Sequence, residues 1–362
     1  MKTLIAIDTI KNFENSVTMG QIFREELGGE VIPIPFLDGG EGTIESMKFI
    51  AGGKYKYVNV HNPLNEAITA RYLINKDFAT IEMAESSGLS LIYKEDLDVM
   101  NASSLGLGEV FVDALDQGAR SFYIGLGDSA CNDMGMGMLY GLGARFYDED
   151  GNSLSPVAKN LVKVKSIDIE NVDERFKMAD INIATSSEMT LFGNNSFLED
   201  RAYRKGADDY DVARLFRGCE NFIERTSELL GVNDIDFPSL GSGGGAAWAL
   251  FTYFKAKISR PMDYILQKID FKNLLADVDY IVLGEDVSQF DAYSSIGMAR
   301  LAKSYKEDIK IIFLHDKNDK KVSDDEYFDY ICEYDIDDYL DRMSIMREIR
   351  KLARKVDDKY LN

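Results

Sequence analysis

The segment Ser121–Gly137, SFYIGLGDSACNDMGMG, decides how this chain is read. Phe122, Tyr123 and Ile124 form an apolar, strand-like run. Glycines follow at 125, 127, 135 and 137, with Asp128, Ser129, Asn132 and Asp133 among them, and the apolar run Met138–Ala144 comes next. That is the order strand, glycine loop, helix. Glycine lets the backbone come close to a ligand, and the first N–H groups of a helix have no intrahelical partner. The junction therefore suits phosphate or another anion. The two carboxylates and the amide add what a metal ion or a hydroxyl-bearing substrate needs. A tight turn whose polar residues only cap a helix reads the same way, so the rest of the chain decides.

On the N-terminal side, Thr3–Ile7 reads as a strand ending in Asp8, and residues 14–27 have helical periodicity. Val31–Phe36 is a second strand, followed by Asp38-Gly-Gly-Glu-Gly42 and a helix to about 51. This is βαβ order, and polar loops at strand C-terminal ends are where open α/β sheets place ligands. Tyr55–His61, Ala67–Ile74 and Ala79–Met83 are closely spaced strands, the pattern of a meander or mixed sheet. Residues 104–117 read as a helix, Ile181–Thr185 as a strand, and 208–230 as a helix with Val212, Leu215, Phe216, Cys219, Phe222, Ile223, Leu229 and Leu230 at apolar spacing. A second glycine cluster, GSGGGAAWAL (241–250), runs straight into a small apolar helix. The last third returns to strand Tyr280–Leu283, loop Gly284–Asp291, a helix to about 304, strand Ile309–Leu314 and an amphipathic helix over 338–357. The pattern predicts an α/β protein of two domains: a discontinuous α/β domain of 1–52 plus 255–362, and an inserted mixed α/β domain of 53–254.

The 362 residues suffice for two or three domains, and 45% hydrophobic with 28% charged residues is ordinary for a globular protein. Nothing approaches the apolar length of a membrane span, and the N-terminus MKTLIAID reads as a first strand rather than a signal peptide. Cysteines at 131, 219 and 332 are few, odd in number and widely spaced, which fits a reducing cytoplasm better than a disulfide framework or zinc cluster. The net charge of −21, from 62 acidic and 41 basic side chains, repels nucleic acid and anionic membranes. An anionic ligand would then need a few well-placed lysines or a divalent cation.

Polar loops recur at strand ends: Asp8–Lys11, Asp38–Gly42, Gly127–Asp133 and Gly284–Asp286. Carboxylates beside glycines suit magnesium, which takes a few carboxylates plus water and phosphate oxygens. Lys11 would supply the point charge that a transferring phosphoryl group requires. No P-loop and no Rossmann glycine fingerprint is present.

In order along the chain, Asp8-Thr-Ile-Lys11, the intact Asp38-Gly-Gly-Glu-Gly42, Pro63-Leu64 with Ala70-Arg71-Tyr72, Ile81-Glu82-Met83-Ala84 and Ser87-Gly88-Leu89 form a series. The series continues with Gly127–Gly135, Lys205-Gly206-Ala207 and Gly241–Ala247. It resembles the bacterial glycerate kinase family nearly end to end. The first motif is similar to that family's Asp-Ser-Phe-Lys, and the central loop to its Gly-Gly-Ser-Ala-Thr-Asn-Asp-Gly-Gly, with Asp128 where the second glycine is expected. The resemblance implies phosphorylation of D-glycerate, or a related small hydroxylated metabolite, by ATP with Mg2+. It also implies a flavodoxin-like three-layer α/β domain and a second mixed domain, with a cleft between them. The partners implied are a small-molecule substrate and a nucleotide. With the polar loops, it marks Asp8, Lys11, Asp133 and Asp291 as candidate catalytic residues. Asp38, Gly39, Gly40, Glu41, Gly127, Ser129, Asn132, Lys205, Gly243, Gly244 and Glu285 are candidates for binding substrate or nucleotide, and no metal ligand is singled out.

The chain departs from the family pattern at three places. The Cys-Asp-Val segment is replaced within Ala184–Leu191, without its aspartate. Phe-Gly-Pro-Gln-Lys-Gly-Ala is reduced to Tyr203–Ala207. The Gly-Glu-Gly-Arg-Leu-Asp segment, which ends in lysine, becomes Gly284–Met298 without its arginine, glutamine and lysine. Each charged hydrogen bond is worth about 1.5–3 kcal/mol, so these losses leave a second reading open: a catalytically impaired paralogue acting as a ligand-binding or regulatory protein.

Overall fold

A computed structural model describes the chain except for residues 9, 11–14, 234–235, 286–292, 319–324, 338–340 and 362. It begins with β1 (Lys2–Ile7) and β2 (Glu30–Pro33). It continues through β3 (Lys54–His61), β4 (Ala67–Asn75), β5 (Phe78–Glu82), β6 (Ser121–Gly125), β7 (Arg145–Tyr147), β8 (Ser166–Asp168), β9 (Asp180–Ala184) and β10 (Lys257–Ser259). It closes with β11 (Tyr280–Gly284), β12 (Lys310–Asp316) and β13 (Tyr330–Tyr334). Two compact units result. The first comprises Met1–Asp38, Glu45–Ile50 and Pro261–Asn362; the second comprises Gly39–Ile44 and Ala51–Arg260.

The first unit holds a five-stranded sheet in the order β13-β12-β11-β1-β2, every neighbouring pair parallel. Parallel strands covered on both faces read as unbroken apolar runs, and Leu4–Ile7 of β1 and Ile311–Leu314 of β12 are buried throughout. On one face Ile5, Ile7, Val282 and Ile312 share a core with Met19, Ile22 and Phe23 of the helix Ser16–Glu26 and Ile345, Ile349 and Leu352 of the helix Arg342–Val356. The first of these helices starts at Asn15, whose side chain accepts the Thr18 N–H at 3.0 Å. Counted within the unit, the strand order is the flavodoxin-like 2-1-3-4-5. Its direction reverses between β1 and β11, the switch point where such sheets bind ligands. Asp8 and Glu285 directly follow those two strands.

The two helices are also joined through Glu26. Arg350 donates to its Oε1 at 2.5 Å and Arg354 to its Oε2 at 2.7 Å, and these guanidinium groups hold the Glu26 carboxyl below its usual range. A depressed acid contributes stability above its unfolded pKa and loses it as pH falls through the folded value. Glu26→Gln is therefore expected to cost about 1 kcal/mol at neutral pH, discounted for its surface position, or roughly 2–4 °C in melting temperature. The deficit should shrink as pH falls below the unfolded carboxylate range, and thermal melts across a series of pH values from 7 downward check both statements.

The second unit holds a six-stranded mixed sheet, order β10-β9-β6-β5-β4-β3. β10, β9, β6 and β5 run parallel, and β4 and β3 are antiparallel additions, so the three closely spaced strands do form a mixed sheet. Phe111 of the helix Leu105–Asp116 stacks on Phe176 with centroids 4.7 Å apart, and Phe122 of β6 meets Phe176 edge-on at 5.2 Å. The helix Asp209–Leu230 runs from the Asp208 cap to Gly231 at φ 65°. Its Leu215, Cys219, Phe222 and Ile223 are buried as the spacing predicts. Phe216 and Leu229, counted with them in the sequence reading, are 41% and 40% exposed. Phe216 instead leans on Phe192 at 5.1 Å. Among the described residues no helix is long and apolar enough to cross a membrane, and the three cysteines are buried free thiols.

Candidate active site

Three of the sequence loops come together in the second unit. At the end of β6, Gly127 donates its N–H to the Gly39 carbonyl at 2.9 Å, so the 125–137 loop lies backbone to backbone on Gly39–Gly42. Gly39 has φ 94°, and a Cβ there would stand 2.3 Å from the Ala184 carbonyl oxygen, so only glycine fits. Gly40 accepts the Thr43 hydroxyl at 2.8 Å. From the other side comes Gly241–Gly245, in which Gly243, Gly244 and Gly245 are all left-handed. A Cβ on Gly244 would lie 1.8 Å from the Cys131 carbonyl oxygen, and the Met134 N–H donates to the Gly244 carbonyl at 3.0 Å. Thr185 and Ser242 add a buried pair of hydroxyls 3.0 Å apart.

Lys205 ties this assembly together. Its ammonium is buried and donates to Ser129 Oγ at 3.0 Å, the Cys131 carbonyl at 2.8 Å and Asn132 Oδ1 at 2.8 Å. All three acceptors are neutral, and no ion pair to Lys205 occurs among the described residues. Burial pushes its pKa down to about 8, against the opposing pull of Cys131, Asp133 and Asp128. Asn132 is fully buried, and its Nδ2 has no hydrogen-bond partner among the described residues. A buried cation without a counter-anion beside an unused buried donor is an arrangement that an anionic ligand would complete.

Asp133, expected among the catalytic groups, is fully buried, and its carboxylate accepts Ser104 N–H at 2.8 Å, Ser104 Oγ at 2.8 Å, Gly135 N–H at 3.1 Å and Gly137 N–H at 3.0 Å. Burial raises its pKa and these donors oppose the rise. These contacts make it a residue that shapes the loop in this structure. Glu82 was quoted only as part of a motif, yet it is buried and its Oε1 accepts the Ile44 N–H at 2.5 Å, capping the helix Thr43–Ala51. An acid closing an otherwise apolar strand was the available signal. Ser104, the partner of Asp133, carried none.

In the first unit, Asp8 follows β1, with its N–H on the Gly284 carbonyl at 2.8 Å, and Glu285 follows β11. Glu285 accepts the Ser295 N–H at 2.8 Å and lies at the start of the helix Tyr293–Tyr305. Burial pushes its pKa up to about 7, partly offset by the Ser294 and Ser295 donors, and the negative charge of Asp38 adds to the rise. Asp38 thus belongs with the first unit's acids, while Gly39–Gly42 build the second unit's loops. Lys11 and Asp291 lie outside the described residues.

The model of the glycerate kinase family matches residues 3–347. The chain belongs to the glycerate kinase family. It is 31% identical over 322 residues to a glycerate kinase of Bacillus subtilis (strain 168), covering 86% of this chain and 84% of the relative. It is 31% identical over 319 residues to a glycerate 2-kinase of Escherichia coli (strain K12), covering 85% and 84%. A crystal structure assigned as glycerate kinase 2 from Salmonella typhimurium LT2 superposes with a TM-score of 0.84 at 29% identity, over 99% of this chain and 97% of that one.

Within the glycerate kinase pattern, two departures in the central loop acquire a physical meaning. Asp128 and Met134 both stand where the Gly-Gly-Ser-Ala-Thr-Asn-Asp-Gly-Gly motif has glycine, and both have the left-handed φ, 56° and 54°, that explains the glycine. Met298, where the 284–298 segment of glycerate kinases ends in lysine, is 1% exposed, so here it is a packing residue. The position of the missing arginine falls outside the described residues, and the missing glutamine's is Tyr293, the first residue of the helix Tyr293–Tyr305.

Proposed function

We propose that this protein is a small-molecule kinase that transfers a phosphoryl group from ATP to D-glycerate. The observation that carries the reading is Lys205: a buried ammonium on neutral oxygens, beside the unused Nδ2 of Asn132. A phosphate or carboxylate group that displaces one of these neutral acceptors gains a charge-assisted hydrogen bond without breaking an ion pair. Gly243 and Gly244 are kept as proposed binding residues on the family motif, and in this structure their missing Cβ atoms make room for Met83 and the Cys131 carbonyl.

Among the described residues no three acidic side chains are grouped so as to hold a metal ion, so Mg2+ would need the nucleotide's phosphates beside a carboxylate such as Asp8 or Asp38. When bound, Mg2+ neutralises charge on nucleotide phosphates. A carboxyl with a pKa near 7 is matched to proton exchange with a hydroxyl at neutral pH, and Glu285 is the group we assign to it. Lys11 and Asp291 are retained as proposed catalytic residues on the family motifs alone. Buried free cysteines support a reducing compartment, the cytoplasm.

The decisive assay is ADP release with Mg-ATP and D-glycerate, with Lys11→Ala as control. Turnover above the control supports the kinase; none at millimolar glycerate leaves a non-catalytic paralogue. The pH profile is a second expectation. In the free enzyme, kcat/KM should rise as Glu285 ionises near 7 and fall as Lys205 loses its proton near 8. A bound anion stabilises the ammonium, so the alkaline limb of kcat should lie at higher pH than that of kcat/KM. Coincident alkaline limbs would argue against an anion on Lys205.

A further inference from the structure

The left-handed backbone at Asp128 is a cost of about 1 kcal/mol for a residue with a Cβ, so its side chain should make up the difference. Its carboxylate Oδ2 accepts the N–H of Glu41 at 3.2 Å, and its carbonyl accepts the N–H of Leu89 at 2.8 Å. Glu41 is held at its other end as well, because Ser90 Oγ donates to Glu41 Oε1 at 3.0 Å. A bridge between Gly88 and Ser129 keeps the two gripping segments in register. Glu41 thus has its main chain fixed by residue 128 and its carboxylate fixed by residue 90. A glycine at 128 has no side chain to make the first of these contacts.

We propose that Asp128 is a positioning residue, a latch that holds the Gly39–Gly42 loop and its Glu41 in the geometry used for binding substrate or nucleotide. The functional half of this statement rests on the kinase reading; the structural half does not. Diffuse charge is the competing explanation, since Asp128 also lies near Lys205. Three variants separate them. Asp128→Asn keeps an acceptor and tolerates the left-handed backbone but removes the charge. Asp128→Gly removes the acceptor and relieves the backbone. Asp128→Ala removes the acceptor and keeps the strain.

The measurements are amide exchange at Glu41 together with KM and kcat. Exchange at Glu41 should be about tenfold faster in Asp128→Gly and Asp128→Ala and within about threefold of the parent in Asp128→Asn, as for one lost hydrogen bond. KM should rise about three- to tenfold in the first two with kcat within twofold, and Asn should restore it. If Asp128→Ala fails to fold, Asp128→Gly carries the test alone, because glycine accepts the native φ. Unchanged Glu41 exchange in Asp128→Gly would overturn the latch, and an Asn variant that behaves like Gly would assign the effect to charge. A parent protein without turnover would end the kinase reading while the exchange measurement still decides the latch.

Discussion

Asp133→Ala is expected to lower the melting temperature by roughly 8–16 °C. The carboxylate is fully buried and serves Ser104 N–H and Oγ and the N–H groups of Gly135 and Gly137. Its removal strands these donors, each costing about 1–3 kcal/mol if left unmet. Water entry and relaxation bring the sum to about 4 kcal/mol, and each kcal/mol is worth roughly 2–4 °C in a unit of this size. Asp133→Asn is nearly isosteric, yet its NH2 faces donors, so it recovers only part of the loss. Loss of activity should follow loss of the folded loop. Thermal melts of both variants check this, and an alanine variant melting within about 2 °C of the parent would show that the loop does not depend on Asp133.

Lys205→Met is expected to separate activity from stability. Without the ammonium, an anionic ligand that had displaced one of its neutral acceptors loses a charge-assisted bond of up to about 3 kcal/mol, which is about a hundredfold in kcat/KM. Folding should change far less. The native pKa of Lys205, pushed down to about 8, lies below the value of an unfolded lysine, so the buried ammonium weakens the native state below pH 8. Replacing it relieves that burden but leaves Ser129 Oγ, the Cys131 carbonyl and Asn132 Oδ1 without their donor. The two effects oppose each other, and the melting temperature should move by only a few degrees while turnover collapses. Assay and melt on one preparation test the contrast. A variant retaining a tenth of parental kcat/KM would remove Lys205 from the anion site.

Much of this was legible in the sequence, and the gaps have physical causes. The doubly covered parallel strands announce themselves as apolar runs, and glycine clusters after strands mark the loops that converge. Lys205 was marked by its motif, but its burial depends on Ser129, Cys131 and Asn132 more than seventy positions away. A carboxylate in a glycine loop reads as chemistry, and the structural share of Asp133 was hidden because its partner Ser104 lies 29 residues upstream with no local signature. β7 and β8, three residues each, are too short to show alternation. Asp128 looked like an added acid in an already negative chain, and only its φ and its contact with Glu41 reveal a geometric use.

The pairing of β1 with β11 also has a temporal meaning. Lys2, at the start of β1, donates its N–H to Asp279, just before β11 and 277 residues away in sequence. A nascent chain growing at about 5–20 residues per second therefore emerges from the ribosome with β1 for roughly 14–55 s before that neighbour exists. Throughout that interval β1 has an open edge, an invitation to wrong pairing. The second unit, essentially continuous from Ala51 to Arg260, is synthesised complete in the meantime. The second unit is thus available to fold before β11 exists, and loss of β11 would strip β1 of its parallel neighbour.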